Sequence, residues 1–198
     1  MSFLHTSPAA PCFPGNSPGV FVGDNRAMRA TDGLARFISA QDSFDAGFES
    51  ALSEIRSGCK TGHWIWYVLP QLSGLGASEM SRTFGLRDAA EAADYVRDPV
   101  LGPRLLTMVS AIADQLAARP GLAVATLMGS EIDARKLVSS LTLFERVGRD
   151  LEGTDVSELA RALADTSLRL LVTAAGEGYP PCAFTLGRLE PGATPSPS

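Results

Sequence analysis

Apolar residues recur every three to four positions through most of the stretch from residue 34 to residue 190. This spacing places the apolar side chains on one face of an α-helix, whereas a half-buried strand would alternate them with polar residues. Glycine, proline, serine and aspartate interrupt the pattern where one helix ends and the next begins. The pattern predicts a single compact all-α domain of six to eight helices, and 198 residues are enough for one such core.

The helix starts and the buried faces can be predicted residue by residue. A side-chain oxygen that accepts a hydrogen bond from a free backbone N–H begins a helix, and this role is predicted for Asp42 or Ser43, Ser78, Asp88, Ser130 and Asp155. The same spacing predicts core anchors at Phe44, Phe48, Leu52, Ile55, Leu105, Val109, Leu141 and Phe144.

The two ends of the chain differ in composition from its middle. Residues 1–32 are rich in proline and glycine and show no sustained period, so we expect an irregular extension that is dispensable for folding. Residues 191–198 contain mainly proline, serine and glycine, and we expect a disordered tail. The all-helical domain is therefore assigned to residues 33–190.

Charge and composition argue against several classes of protein. The net charge of −5 and the lack of a basic run disfavour a nucleic-acid binder. Neither a transmembrane run nor a signal peptide is present, so we expect a cytoplasmic protein without membrane contact. The cysteines lack metal-site spacing and one of the two histidines lies in the extension, so no metal is expected. No cofactor is expected either, because the glycine pair at residues 74 and 76 lacks the rest of a dinucleotide or phosphate-loop fingerprint.

Residues 58–76 contain both tryptophans and the remaining histidine. Locally the stretch fits two structures, since Trp64, Trp66 and Val68 would share one face of a strand, whereas a helix would bring together residues four apart. The helical character of the surrounding sequence favours a short helix that ends at Pro70.

Five residues of this stretch form a candidate site: Lys60, His63, Trp64, Trp66 and Gln71. A histidine can act as an acid or a base near neutral pH, and a lysine supplies positive charge for an anionic ligand. Indole rings stack on planar groups, and a glutamine amide can recognise an amide or base edge. The alternative is that the tryptophans and the histidine are ordinary packing residues.

A second candidate lies on the helix that follows Ser130. Lys136, Ser139 and Ser140 fall on one stripe at positions i, i+3 and i+4. Because unpaired polar groups are costly to bury, these side chains either face solvent or meet partners across a seam or a ligand. We predict that Lys136 and His63 share one pocket as catalytic residues, with Ser139 as a ligand-binding residue.

Several segments of the sequence resemble those of a bacterial family known as domain of unknown function 1810, which is often mislabelled "calpastatin". The similar segments are the following: the opening set Arg36, Phe37, Ala40, Gln41 and Asp42; residues 58–76; residues 98–104; the set Asp133, Lys136, Ser139, Ser140, Thr142, Leu143 and Phe144; and the closing pair Thr185 and Leu186. The resemblance covers about residues 34–190. It implies a small all-helical fold and carries no biochemical activity.

Two functions remain open from the sequence. The first is a binding protein, or an unassigned enzyme, for a small anionic molecule of nucleotide-like kind, acting as a monomer or weak homo-oligomer. The second is a helical scaffold or protein-interaction module, in which the aromatic cluster builds the core. The sequence leaves open whether the protein is an enzyme.

Overall fold

The computed structural model describes residues 33–190, and within this range it confirms the all-α class. The ten helices of the described range are α1 (Ala35–Gln41), α2 (Phe48–Ser57), α3 (Ile65–Val68), α4 (Glu79–Phe84), α5 (Ala89–Arg97), α6 (Leu101–Ala118), α7 (Val124–Leu127), α8 (Glu131–Asp150), α9 (Ser157–Gly176) and α10 (Ala183–Leu189). This number exceeds the predicted six to eight. Two of the helices, α3 and α7, are only four residues long, and such short elements leave little periodicity in a sequence.

Most of the predicted caps are present. The side chain of each capping residue of α4, α5 and α8 accepts a hydrogen bond from the backbone N–H three positions further on; the caps are Ser78, Asp88 and Ser130. The prediction for Asp155 is wrong, because α9 begins after Val156 without a side-chain cap. Here Ser157 Oγ instead accepts a hydrogen bond from the backbone N–H of Gly153 at 3.0 Å.

The predicted start of α2 is also wrong. Helix α1 ends at Gln41 and α2 begins at Phe48, so Phe44 lies in the connection and its side chain is 97% exposed. The cap of α2 is Gly47 rather than Asp42 or Ser43. A Cβ atom at Gly47 would lie 2.1 Å from the carbonyl oxygen of Ser43, so only glycine permits the tight turn that precedes α2.

The core lies between α2, α6, α8 and α9, since α6 packs on both α2 and α9, and α9 packs along α8. A Cβ atom at Gly148 of α8 would lie 2.7 Å from the carbonyl oxygen of Ala160, so only glycine permits this close approach of α8 and α9. The remaining predicted anchors are all buried: Phe48, Leu52, Ile55, Leu105, Val109, Leu141 and Phe144.

Helix α3 lies in the middle of the molecule, in contact with α1, α4, α6 and α8. This position confirms the short helix, although α3 begins only at Ile65 and ends at Val68, before Pro70. The alternative of a strand through Trp64, Trp66 and Val68 is wrong, since the described residues contain no strand and only an isolated bridge between Leu72 and Leu86. The loop after α3 therefore runs beside the segment that enters α5.

The predictions for residues 1–32 and 191–198 lie outside the described residues, and the domain limits of 33 and 190 stay a prediction. Among the helices of residues 33–190, none is both long enough and apolar enough to cross a membrane.

Candidate functional site

The two lysines of the chain form ion pairs with the same carboxylate. Of the 17 basic residues, only Lys60 and Lys136 are lysines, and they are separated by 76 positions. The ammonium of Lys60 lies 2.5 Å from Oδ2 of Asp133, and the ammonium of Lys136 lies 2.8 Å from Oδ1 of the same side chain. We call these three residues the lysine cluster. It connects the segment before α3 to the first turns of α8.

Lys60 is the buried member of the lysine cluster. Its side chain is 5% exposed, and its ammonium also donates to the carbonyl oxygen of Gly62 at 2.5 Å. The backbone N–H of Lys60 donates to the carbonyl oxygen of Leu127 at the end of α7. These contacts join residues 60–62, α7 and α8, and they indicate that Lys60 positions the site rather than contacting a ligand.

Lys136 is the more accessible member of the lysine cluster. Its side chain is 18% exposed, and its ammonium lies 4.0 Å from the centroid of the Trp66 ring. A cation at this distance over an indole face is attracted by the negative face of the ring. The hydrogen bond to Asp133 is the only one that the ammonium donates within the described residues, so two of its three N–H groups remain for another acceptor.

Asp133 balances only one of the two positive charges. Burial acts to raise the pKa of this carboxyl, but the hydrogen bonds and the positive charges of Lys136 and Lys60 outweigh it and hold the pKa below the ordinary value. The carboxyl is thus ionised near neutral pH, and the lysine cluster has a net charge of +1. A small anion can supply the missing negative charge.

Glu54 of α2 holds the segment before α3 and was not found from the sequence. Its Oε2 accepts hydrogen bonds from the backbone N–H groups of Thr61 and Gly62 at 2.7 and 2.9 Å, and from the indole Nε1 of Trp64 at 2.8 Å. Burial raises the pKa of Glu54, but these hydrogen bonds bring it below the ordinary value. A lone glutamate on an amphipathic helix gives no sequence signal for this role.

The two tryptophans differ in their environment. Trp64 is 1% exposed and Glu54 binds its N–H, so it cannot serve as a stacking surface for a ligand in this structure. Trp66 is partly exposed, and its indole N–H makes no hydrogen bond within the described residues. Of the two tryptophans, only Trp66 is therefore accessible for the stacking on a ligand that the sequence predicted for both.

Trp66 and Gln71 line the same narrow crevice, together with Leu72, Ser81, Phe84 and Gly85. Gln71 is only 5% exposed, and its Nε2 donates to the carbonyl oxygen of Leu69 at 3.1 Å. The crevice is a narrow groove without space for even a water molecule, so it is not a pocket of the kind that encloses a small-molecule ligand.

The serines of α8 do not face solvent. Ser139 and Ser140 are buried, so the hypothesis of a solvated stripe is wrong for them, and Ser139 Oγ lies 3.1 Å from Oγ1 of Thr185 on α10. The thiol of Cys182, at the start of α10, lies in the same seam. Burial raises its pKa, but hydrogen bonds with Thr185, Ser139 and the backbone N–H of Phe184 bring the pKa below the ordinary value.

His63 is exposed and precedes α3, and its side chain makes no hydrogen bond or ion pair with the described residues. Burial therefore does not force His63 towards a cavity. Its predicted pairing with Lys136 in one pocket stays a prediction, since the contacts of Lys136 within the described residues are those with Asp133 and Trp66.

Another hollow lies on the surface between α8 and α9, and it is lined by residues 154–159. Its charged side chains are Asp155 and Glu158, so it is unsuited to an anion. Within residues 33–190, no three histidine, cysteine or acidic side chains are grouped closely enough to hold a metal ion.

Comparison with known proteins identifies the family. The family described as "Protein of unknown function (DUF1810)" matches residues 31–163, a range that contains the whole lysine cluster. The crystal structure of the conserved hypothetical protein Rv1873 from Mycobacterium tuberculosis is 32% identical, with a TM-score of 0.53, over 70% of this chain and 96% of that one. No protein with a curated description matches the chain. Because the match spans more than half of the sequence, the chain belongs to the DUF1810 family of proteins of unknown function.

Proposed function

We propose that this protein binds a small anionic molecule at the exposed side of the lysine cluster, with Lys136 as the main cation and Trp66 as the adjoining wall. One observation carries the proposal: both lysines of the chain contact a single ionised aspartate, which leaves one positive charge uncompensated by the part of the chain that the structure describes. The more exposed of the two ammonium groups is also the one with free N–H donors.

The division of hydrogen bonds supports different tasks for the two lysines. Lys60 donates to Asp133 and to Gly62, and its ammonium lies 5.2 Å from the ring centroid of the buried Trp64. Among the described residues Lys136 donates to Asp133 alone, and its ammonium lies over the ring of the partly exposed Trp66. An anion that approaches Trp66 thus meets free donors from Lys136, while Lys60 keeps Asp133 in place.

The use of lysine agrees with this proposal. The other 15 basic residues are arginines, whose planar guanidinium groups suit two-point contacts with carboxylates. An ammonium is a compact charge with three rotatable donors, and it binds phosphate-type anions as a point charge. Phosphate and related small anions are therefore the first ligands to test.

The test is thermal unfolding in inorganic phosphate, with two variants of neighbouring residues on α8. Lys136→Met keeps the aliphatic stem and removes the charge. Arg135→Met removes the same charge from an exposed side chain whose one ion pair within residues 33–190 is that with Glu131, at 4.0 Å, and it serves as the control.

We expect phosphate to raise the melting temperature of the wild type and of Arg135→Met, but not of Lys136→Met. At 100 times the Kd, a ligand adds about 2.7 kcal/mol to stability, which corresponds to roughly 5–10 °C for a domain of this size. Equal shifts in all three proteins, or no shift in the wild type, would contradict the proposal.

The catalytic roles that the sequence predicts for His63 and Lys136 are a more specific version of this proposal. If a reaction occurs at this site, His63 is the candidate acid or base because it is exposed and lies three residues before Trp66. Turnover of a phosphate ester that is lost in His63→Gln, while phosphate binding persists, would support this role.

A scaffold function is the second candidate, and the burial of Trp64 and Lys60 favours it. In that case the lysine cluster only ties α8 to the segment before α3. The same melting experiment separates the two functions, since a scaffold gains no stability from phosphate that depends on Lys136.

A further inference from the structure

The loop of residues 74–77 lies between two aromatic rings. A Cβ atom at Gly76 would lie 3.9 Å from Cη2 of Trp66, and a Cβ atom at Gly74 would lie 3.3 Å from Cζ of Phe184 on α10. The Cα atoms of two residues so close in the chain are at most roughly 7 Å apart. The ring beside the lysine cluster and the ring of α10 therefore flank the same short piece of backbone.

A second set of contacts joins the same parts of the molecule. Phe184 is followed by Thr185, whose Oγ1 lies 3.1 Å from Oγ of Ser139. Ser139 lies about one helical turn after Lys136 on α8, and the ammonium of Lys136 lies 4.0 Å from the centroid of the Trp66 ring. The contacts thus form a closed circuit, which places the lysine cluster, the loop and the start of α10 around one area of the molecule.

Two arginines border this area. A guanidinium N–H of Arg82 donates to the carbonyl oxygen of Ala77 in the loop. The guanidinium of Arg188 lies 5.9 Å from the ring centroid of Phe184. Neither arginine forms an ion pair with the part of the chain that the structure describes. Both charges are therefore available to an anion that lies along the loop.

The acidic residues near these arginines do not compensate their charge. Glu79 is the one acidic residue between positions 73 and 82, and Glu190 follows the end of α10. Neither carboxylate forms an ion pair within the described residues. Three positive charges thus border the loop without an acidic partner there, one from the lysine cluster and two from the arginines, although the net charge of the whole chain is −5.

We infer that the anion of the proposed function is an oligophosphate, with one phosphoryl group on Lys136 and the next ones along the loop towards Arg82 and Arg188. This inference rests on the proposed function. Ammonium and guanidinium groups are the usual partners of phosphoryl oxygens in proteins. A single phosphate on Lys136 leaves the two arginines unused, whereas a row of phosphoryl groups carries negative charge along the loop.

Two probes test this inference, inorganic phosphate and tripolyphosphate, with affinities measured by titration calorimetry at constant ionic strength. An arginine variant that combines Arg82→Met with Arg188→Met removes both charges of the area and keeps Lys136. The control combines Arg161→Met with Arg169→Met on α9, where neither arginine has an ion pair within residues 33–190. The two double variants have the same net charge, so a general effect of charge is equal in both.

We expect tripolyphosphate to bind about tenfold more tightly than phosphate to the wild type and to the control, and less than about threefold more tightly to the arginine variant. The affinity of the arginine variant for phosphate should stay at the wild-type value, which also shows that this variant is folded. An advantage of tripolyphosphate that survives in the arginine variant, or that falls equally in the control, would overturn the inference.

Failure of this inference is distinct from failure of the proposed function. If phosphate binds through Lys136 but tripolyphosphate gains nothing in the wild type, only the oligophosphate is wrong. If neither phosphate nor tripolyphosphate binds, the anion site itself is wrong, and this inference is lost with it. The comparison of the two probes on the wild type needs no variant, so poor folding of the arginine variant would not protect the inference.

Discussion

The helical core formed by α2, α6, α8 and α9 differs from the central segment of residues 58–76 in how the sequence specifies it. In the core, long helices meet through apolar faces whose spacing is visible in the sequence. The central segment also buries apolar side chains in this core, among them Ile65, Val68 and Leu69. Its one short helix shows no clear period, however, and polar contacts with Glu54 and Asp133 add to that packing. The core shows what apolar periodicity can specify, while the central segment depends on single partners that lie far away in sequence.

The largest expected effect concerns the core. Phe48→Ala should cost about 3–5 kcal/mol of unfolding free energy, since the ring is 4% exposed and its removal leaves a cavity. Phe44→Ala, four positions earlier, should change stability by less than about 0.5 kcal/mol, because that ring is 97% exposed. Urea denaturation of the two variants measures both values. Similar losses for both would mean that the start of α2 is wrongly placed.

The next effect concerns the central segment and its connection to α8. Lys60→Met should cost roughly 3 kcal/mol, because it leaves part of the half-buried Asp133 carboxylate and the Gly62 carbonyl without a partner. Lys136→Met should cost about 1 kcal/mol or less, since its side chain is more exposed and Lys60 still neutralises Asp133. Chemical denaturation tests the order, and a larger loss for Lys136→Met would reverse the roles of the two lysines.

A further variant tests the stability of the central segment by itself, and it removes no positive charge. Glu54→Gln should cost about 1–3 kcal/mol, because a neutral amide cannot accept strongly from three N–H groups at once. Amide hydrogen exchange should rise at Thr61 and Gly62 and stay unchanged in α9. Glu49→Gln, at an exposed position of the same helix, is the control. Faster exchange throughout the protein would show that the two regions unfold together.

The smallest effect is a dependence on pH. The pKa of Asp133 and the pKa of Glu54 are lowered by folding, so their contribution to stability is complete above the unfolded values of about 4. It falls as the pH drops through the lower, folded values. Asp133→Asn should therefore lose stability at pH 7 and show a weaker further loss below about pH 4 than the wild type does. Asp114→Asn, at an exposed site on α6, should follow the wild-type profile, and equal profiles for all three would exclude a role of Asp133.

The sequence was a good guide where an element is long and apolar. The faces of α6 and α8, together with three caps, were predicted correctly because helix propensity, spacing and capping all act within a few residues. Phe44 was misplaced because an aromatic residue four positions before Phe48 continues the period, and nothing local shows the turn at Gly47. Periodicity alone does not reveal where a tight turn interrupts it.

For the candidate site, the sequence predicted some of the residues that lie together, but it did not predict what each of them does. Lys60 was chosen because a lysine supplies positive charge for an anion, and Lys136 because a polar group on an apolar helix needs a partner. The structure brings both onto the carboxylate of Asp133. The sequence spacing of Asp133 and Lys136 allows only a local i,i+3 ion pair to be predicted. The contact of Asp133 with Lys60 spans 73 positions and leaves no trace in spacing. For the same reason Glu54 was missed, and Trp64 was taken for a stacking surface although it is buried.

The central claim is that the two lysines have different roles: Lys60 holds Asp133 in place, and Lys136 binds an anion. A chain with only two lysines allows a direct measurement, because protein labelled with ¹³C and ¹⁵N at lysine gives just two side-chain Cε–Nζ signals. Each signal is assigned by its loss in the corresponding Met variant, and phosphate is then added to the wild type. The signal of Lys136 should shift in a saturable way while that of Lys60 stays in place. A saturable shift of Lys60 alone, or no shift of either signal at phosphate concentrations that stabilise the protein, would contradict this account.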